Sequence, residues 1–171
     1  ESPKEYALSE EEIAVTIGKV DEVVEIELVN YFIKGNIALT KVDEDYPDNK
    51  LSGAVFEVYS DINGDGKLDK DDTLLGEMKE LDGGVYQMSE LRYGKYLVKE
   101  TKAPTGFVLD KNVYSVSVEE NGKTYTVENK AGVGFINAAQ KGSLKIVKTS
   151  SDGKVEGFSF RVTGVDYDQT F

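Results

Sequence analysis

Between residues 35 and 141, short runs of β-branched and aromatic residues alternate with polar ones at a period of two, separated by turns rich in Gly, Asp and Asn. That period predicts strands with one buried face. The runs are 37–42, 54–59, 96–100, 113–118 and 124–127, and Asn121-Gly122 between the last two predicts a hairpin. Many short strands with scarce helical period predict an all-β chain, folded as an antiparallel sandwich. The best helical rival, Ser9-Glu10-Glu11-Glu12 leading into Ile13 to Ile17, has the form of a capping box. Its internal counterpart, 110–118, is β-rich and alternates with period two, so a strand is expected there as well.

The pattern also repeats, and a repeat decides the domain organisation. Gly35-Asn36-Ile37-Ala38-Leu39-Thr40-Lys41 is echoed by Gly142-Ser143-Leu144-Lys145-Ile146-Val147-Lys148, and Leu51-Ser52-Gly53-Ala54-Val55-Phe56 by Val155-Glu156-Gly157-Phe158-Ser159-Phe160. Ile26 to Asn30 matches Val133 to Asn137; this pair and the Gly35/Gly142 pair share an offset of 107. Pro3 to Leu8 parallels Pro104 to Leu109 at an offset of 101, so a connection in the first copy is six residues shorter. Tandem repeats are therefore expected: 1–34 as the C-terminal part of a preceding repeat, 35–141 as a complete one, and 142–171 as the N-terminal part of a following one. The opening Glu1-Ser2-Pro3 lacks an initiator Met, which favours a segment of something longer.

Composition narrows the chemistry. The 171 residues, 39% hydrophobic, contain no His and no Cys. A Ser-His-Asp triad, a Cys nucleophile, an imidazole or thiolate zinc site and a disulfide framework are thereby excluded. With 32 acidic against 20 basic residues the net charge is -12, which repels nucleic acid and anionic lipid and favours divalent cations. No apolar run approaches a membrane span, so no direct membrane insertion is expected.

Three polar residues continue inward faces of the predicted strands. Lys41 follows Ile37 and Leu39, Asn137 follows Val133 and Phe135, and Glu100 follows Tyr96 and Val98. Burying such groups unpaired costs several kcal/mol, roughly, so they need a partner or a purpose. A buried ion pair with a hydrogen-bonded Asn, or strand ends emerging into water, would be the plain explanation for any one of them. The recurrence of Asn and Lys at matched positions in the partial copies, Asn30 and Lys148, favours a shared purpose.

The segments Leu39-Thr40-Lys41-Val42-Asp43, Leu51-Ser52-Gly53-Ala54-Val55-Phe56, Tyr96 through Glu100-Thr101-Lys102-Ala103-Pro104-Thr105-Gly106-Phe107, and Phe135-Ile136-Asn137 resemble the B-type repeats of Gram-positive collagen adhesins and pilins, called CnaB or SpaA-like domains. The resemblance spans the complete repeat. It implies a prealbumin-like, reverse immunoglobulin-like sandwich in which Lys41 and Asn137 are joined by an intramolecular isopeptide bond with Glu100 as catalyst. Such chemistry is physically coherent: burial lowers a Lys pKa and raises a Glu pKa, giving a neutral amine nucleophile and a protonated acid that can polarise the amide. It would occur once per molecule, so the chain is not expected to be an enzyme.

An acidic loop adds a second candidate. Asp61-Ile62-Asn63-Gly64-Asp65-Gly66-Lys67-Leu68-Asp69-Lys70-Asp71-Asp72 matches the calcium loop at its ligand positions: Asp61, Asn63, Asp65, the Lys67 carbonyl, Asp69 and Asp72. Asp72 stands where a bidentate Glu is usual, and strands flank the loop, so affinity of about 0.1 to 1 mM is expected. The plain alternative is a solvated acidic tip. Together these features predict a structural stalk or spacer segment of a surface adhesin or pilus-like protein, extracellular and anchored to the cell wall through other parts of its parent. Its expected partners are neighbouring repeats, with no nucleic acid; the rival reading is a binding module whose exposed loops recognise a host protein or glycan.

Overall fold

A computed structural model of the chain describes residues 3–164 and 167–170. Glu1 and Ser2, part of the expected preceding repeat, lie outside the described residues, as do Val165, Asp166 and Phe171 of the expected following one. The chain forms two compact units, Glu1–Gln140 and Lys141–Phe171.

In the first unit two sheets face each other. One contains β1 (Lys34–Asp43), β4 (Lys79–Glu80), β5 (Val85–Arg92) and β8 (Thr124–Thr126) in the order β4-β5-β1-β8, with β9 (Phe135–Asn137) also paired to β1. The other contains β2 (Val55–Ser60), β3 (Thr73–Glu77), β6 (Gly94–Lys102) and β7 (Val113–Val118) in the order β3-β2-β6-β7. Apart from β1 with β8 and β9, the pairings in these two sheets are antiparallel. The all-β sandwich expected from alternation is thus present.

β1 organises the first sheet. One edge pairs with β5; the other is shared, its first half running parallel to β8 and its second half parallel to β9. Alternate β1 residues Ile37 and Leu39 are buried against Phe56, Val58 and Val98 of the facing sheet, as its period of two requires. Phe56 lies at the centre, its ring 5.1 Å from Tyr86 and 4.9 Å from Phe135, both edge to face.

Two expectations fail. The Asn121-Gly122 turn does not close a hairpin, because β7 pairs with β6 in one sheet and β8 with β1 in the other. The turn is instead bonded to the start of β1: the Lys34 N–H donates to Asn121 Oδ1 and the Gly122 N–H to the Lys34 carbonyl. The Tyr125 hydroxyl then accepts the Glu119 and Glu120 N–H groups, so the connection crosses between sheets. Residues 9–17 form neither helix nor the expected strand. Their counterpart β7 is held by β6, and this sequence holds no counterpart of β6 for them. A strand needs its ladder.

The N-terminal segment reproduces a ladder that recurs at the end of the sandwich. The Tyr6 N–H donates to Pro3 O, Ala7 N–H to Tyr31 O and Ile33 N–H to Glu5 O, around a Tyr6–Phe32 bridge. At the offsets read from the sequence, the Phe107 N–H donates to Pro104 O, Val108 N–H to Ala138 O and Gln140 N–H to Gly106 O, around a Phe107–Ala139 bridge. The segment rests on the sandwich through Phe32, stacked on Tyr6 and capped by the Arg92 guanidinium 4.2 Å from its ring, and through a Tyr93 N–H to Ile33 O bond.

In the second unit, β10 (Arg161–Gly164) and β11 (Tyr167–Thr170) pair antiparallel. Residues 142–148, the echo of β1, form no strand. Among the described residues no helix is long and apolar enough to cross a membrane. Because Phe56 is fully buried between two rings, Phe56→Ala should lower unfolding free energy by about 3 to 5 kcal/mol, measured by denaturant titration.

Candidate functional site

The shared edge of β1 brings the end of the sandwich beside its beginning. β9 runs parallel to the last residues of β1 with Lys41 opposite Phe135 and Asp43 opposite Asn137. Close approach here depends on Gly134: a Cβ on it would lie 2.8 Å from the Thr40 carbonyl oxygen, and its φ of 130° is one that side chains disfavour. From the facing sheet β6 supplies Glu100, opposite Phe56 of β2. Lys41, Glu100 and Asn137 are all buried, at 0%, 0% and 3% exposure.

Their contacts are specific. Lys41 Nζ donates to the Phe135 carbonyl at 2.9 Å and to the Val42 carbonyl at 3.4 Å, and sits 5.6 Å from the centre of the Phe135 ring. The Asn137 amide nitrogen donates to Glu100 Oε2 at 2.8 Å and to the Val108 carbonyl. Glu100 Oε2 also accepts the Asp110 N–H at 2.8 Å. Two buried oxygens in the cluster have no hydrogen-bond partner: Glu100 Oε1 and Asn137 Oδ1. Both are acceptors while Glu100 is ionised. One proton on Glu100 turns the pair into donor and acceptor.

The electrostatics favour that proton. Burial raises the Glu100 pKa, against the opposing pull of the Asn137 amide, the Asp110 N–H and the Lys41 charge. Burial likewise lowers Lys41 to about 8, although Glu100, Asp110 and Asp43 favour its charge. The arrangement thus brings a lysine shifted toward its neutral form, a glutamate shifted toward its protonated form and a primary amide into one buried cluster. The counterparts Asn30 and Lys148 have no such surroundings: Asn30 is exposed, and Lys148 donates to the Thr149 carbonyl and lies over Phe158.

The acidic loop lies between β2 and β3. Asp61 caps it, its two carboxylate oxygens accepting the N–H groups of Gly64 and Gly66, while Asn63 and Asp65 accept those two residues on. Asp72 accepts the Ile62 and Asp69 N–H groups, and Asp69 accepts the Asn63 amide and the Asp71 N–H. Lys95 from β6 donates to the Gly64 carbonyl. Most of the loop's carboxylate oxygens are thus engaged by its own backbone. Among the described residues no group of three or more acidic side chains converges closely enough to hold a metal ion.

Residues 35–131 match the family described as SpaA, prealbumin-like fold domain. The chain belongs to that family. Lys41 and Glu100 fall inside the matched span and Asn137 six residues beyond it. Among solved structures the chain is similar to the Bacillus anthracis TIE protein, with a TM-score of 0.62 and 27% identity over 81% of this chain and 24% of that one. It is also similar to BcpA, the major pilin subunit of Bacillus cereus, with a TM-score of 0.47 and 28% identity over 63% of this chain and 31% of that one. For GBS52, the minor pilin of Streptococcus agalactiae, the TM-score is 0.47 and the identity 26%, over 70% of this chain and 51% of that one. The chain spans less than two thirds of each of these structures. No curated protein sequence matches it.

The SpaA domain also recruits residues that strand alternation does not single out. Asp110, in the loop between β6 and β7, bonds to Glu100 through its N–H and accepts the Tyr114 hydroxyl and the Asn129 amide. Burial pushes Asp110 up, and the hydrogen bonds from Tyr114, Asn129 and Asn112 outweigh it and hold it below the usual carboxylate range. An Asp-x-Asn turn is the one local signal in the sequence.

The depressed Lys41 pKa has a pH signature in Asn137→Ala, which lacks the amide that any cross-link to Lys41 would need. Between pH 8 and 10.5 the unfolded chain holds a Lys proton that the folded chain has released, so unfolding free energy should rise with pH across that window and level off above it. Adding Lys41→Met should abolish that rise. Denaturant titrations of the two variants across this range measure the difference.

Proposed function

We propose that this SpaA domain is a load-bearing spacer in a cell-surface adhesin or pilus-like protein, closed by an isopeptide bond between Lys41 and Asn137. The reading rests on one observation: a lysine, a glutamate and an asparagine are buried together where the first and last strands of the sandwich lie side by side. Neutral Lys41 Nζ attacks Asn137 Cγ, the Cγ–Nδ2 bond breaks, and ammonia departs. Protonated Glu100 hydrogen-bonds the amide oxygen, then carries the proton given up by the amine to the leaving nitrogen. Folding supplies the proximity.

The bond would tie β1 to β9, so tension along the chain would bypass residues 42–136. At about 3.4 Å per residue this spares roughly 300 Å of extension. By analogy with a disulfide closing such a loop, it adds about 4 to 5 kcal/mol of stability. Repeats at 1–34, 35–141 and 142–171 fit a tandem stalk, supported by the ladder that recurs at 3–33 and 104–140. Large apolar side chains stand exposed mainly outside the complete domain, at Val20, Val23, Leu28, Leu144 and Val147, where neighbouring repeats would cover them. Neighbouring repeats are therefore the assigned partners, and the extracellular surface the assigned place.

Intact mass should show the folded chain lighter by one ammonia, and both Lys41→Ala and Glu100→Ala should fold and keep their full mass. A parent chain at full mass after folding overturns the bond; undiminished ammonia loss in Glu100→Ala removes Glu100 from the reaction.

Calcium in the Asp61 to Asp72 loop is the second part of the proposal, supported by the ligand spacing and by the left-handed turn at Gly66. Binding requires the carboxylates to exchange backbone N–H groups for the ion. Calorimetry at millimolar calcium should register heat that Asp65→Ala abolishes, and chelation should lower the melting temperature; no heat and unchanged melting return the loop to a solvated tip.

A further inference from the structure

β9 is three residues long, and its middle residue carries an unusual partner. The Ile136 N–H donates to Asn129 Oδ1 at 2.6 Å, and the Ile136 carbonyl accepts from Asn129 Nδ2 at 2.8 Å. One side-chain amide thus satisfies both main-chain groups of the residue immediately before Asn137, acting in place of a further strand on the outer edge of β9. The same Nδ2 donates to Asp110 Oδ2 at 2.9 Å. Asp110 is fixed in turn by the Tyr114 hydroxyl at 2.6 Å, and its N–H reaches Glu100 Oε2 at 2.8 Å.

A single amide therefore holds the backbone that carries the proposed electrophile and the loop that orients the proposed acid. Position matters here because β9 is short: its inner edge rests on β1 over three residues, the Asn137 carbonyl accepts the Glu44 N–H, and the Val108 N–H holds Ala138 just beyond it, which leaves the outer edge at Ile136 to Asn129. A short strand with one free edge frays unless that edge is bonded. We infer that Asn129 is a positioning residue for the cross-linking of Lys41 to Asn137, clamping Ile136 and Asp110 so that the Asn137 amide and the Glu100 carboxyl meet in register. The inference rests on the bond proposed above and adds to it a residue that touches none of the reacting atoms.

The test follows ammonia loss by intact mass after chains collected unfolded are refolded by dilution. Asn129→Ala should cross-link on the order of ten- to a hundredfold more slowly than the parent, the scale of a misplacement near 1 Å, with the same pH at half-maximal rate. Asn129→Asp keeps the acceptor for the Ile136 N–H and loses the donor to Ile136 and Asp110, so it should also be slowed. Val58→Ala, a core change in β2 away from the cluster, controls for lost stability and should react at the parent rate once folded. Parent-rate reaction in Asn129→Ala, or equal slowing in Val58→Ala, overturns the inference; should Asn129→Ala fail to fold, a parent rate in Asn129→Asp does so. A parent chain that never loses ammonia is a different result, which removes the bond itself.

Discussion

The parallel pairing of β9 with the second half of β1 is the contact on which the rest of the first unit depends. β1 offers one edge to β5 and divides the other between β8 and β9, so the beginning and end of the domain meet along a single strand. Neither β8 nor β9 exceeds three residues, and each depends on that strand for its pairing in the sheet. Gly134 permits the approach, Phe135 fills the core against Phe56 and Tyr114, and Asn137 follows two residues later on the same inward face. Packing and chemistry share the same three residues.

That arrangement explains how charged residue types are tolerated in the interior. Lys41 and Glu100 belong to sheets that face each other across an apolar core, where ions are strongly disfavoured. Each is relieved by shifting toward its neutral form, and main-chain carbonyls and N–H groups take up much of their remaining hydrogen-bonding capacity. The oxygens left without partners, Glu100 Oε1 and Asn137 Oδ1, mark where the satisfaction is incomplete in this set of contacts. Buried polar groups unsatisfied in a native fold call for an explanation, and the cross-linking proposed above would supply one.

The loop between β2 and β3 follows a different logic. Its acidic side chains are managed locally: aspartates accept N–H groups two to ten residues away, and Lys95 from the neighbouring strand closes over Gly64. Such short-range bonding makes the loop a self-supporting excursion from the sheet. It carries charge away from the sandwich beyond the end of β2, whose register with β6 runs up to Ser60 opposite Tyr96.

What depends on residues near each other in the chain was legible before folding. Period-two alternation located β1, β2, β6, β7 and β8 within a few residues, and placed Lys41, Glu100 and Asn137 on inward faces, because side-chain direction in a strand is a local property. The internal offsets likewise picked out the ladder at 3–33 that mirrors 104–140. Which edges meet depends on contacts between residues far apart in the chain, and these were not legible. Asn121-Gly122 has hairpin chemistry, yet its bonds go to Lys34 and the chain crosses to the other sheet; residues 9–17 have the alternation of a strand, yet find no ladder to join. Asn129 and Asp110 were not singled out for the same reason: the Asn129 amide reaches the Ile136 backbone and the Asp110 N–H reaches the Glu100 carboxylate, and a local Asp-x-Asn turn carries no mark of those distant partners.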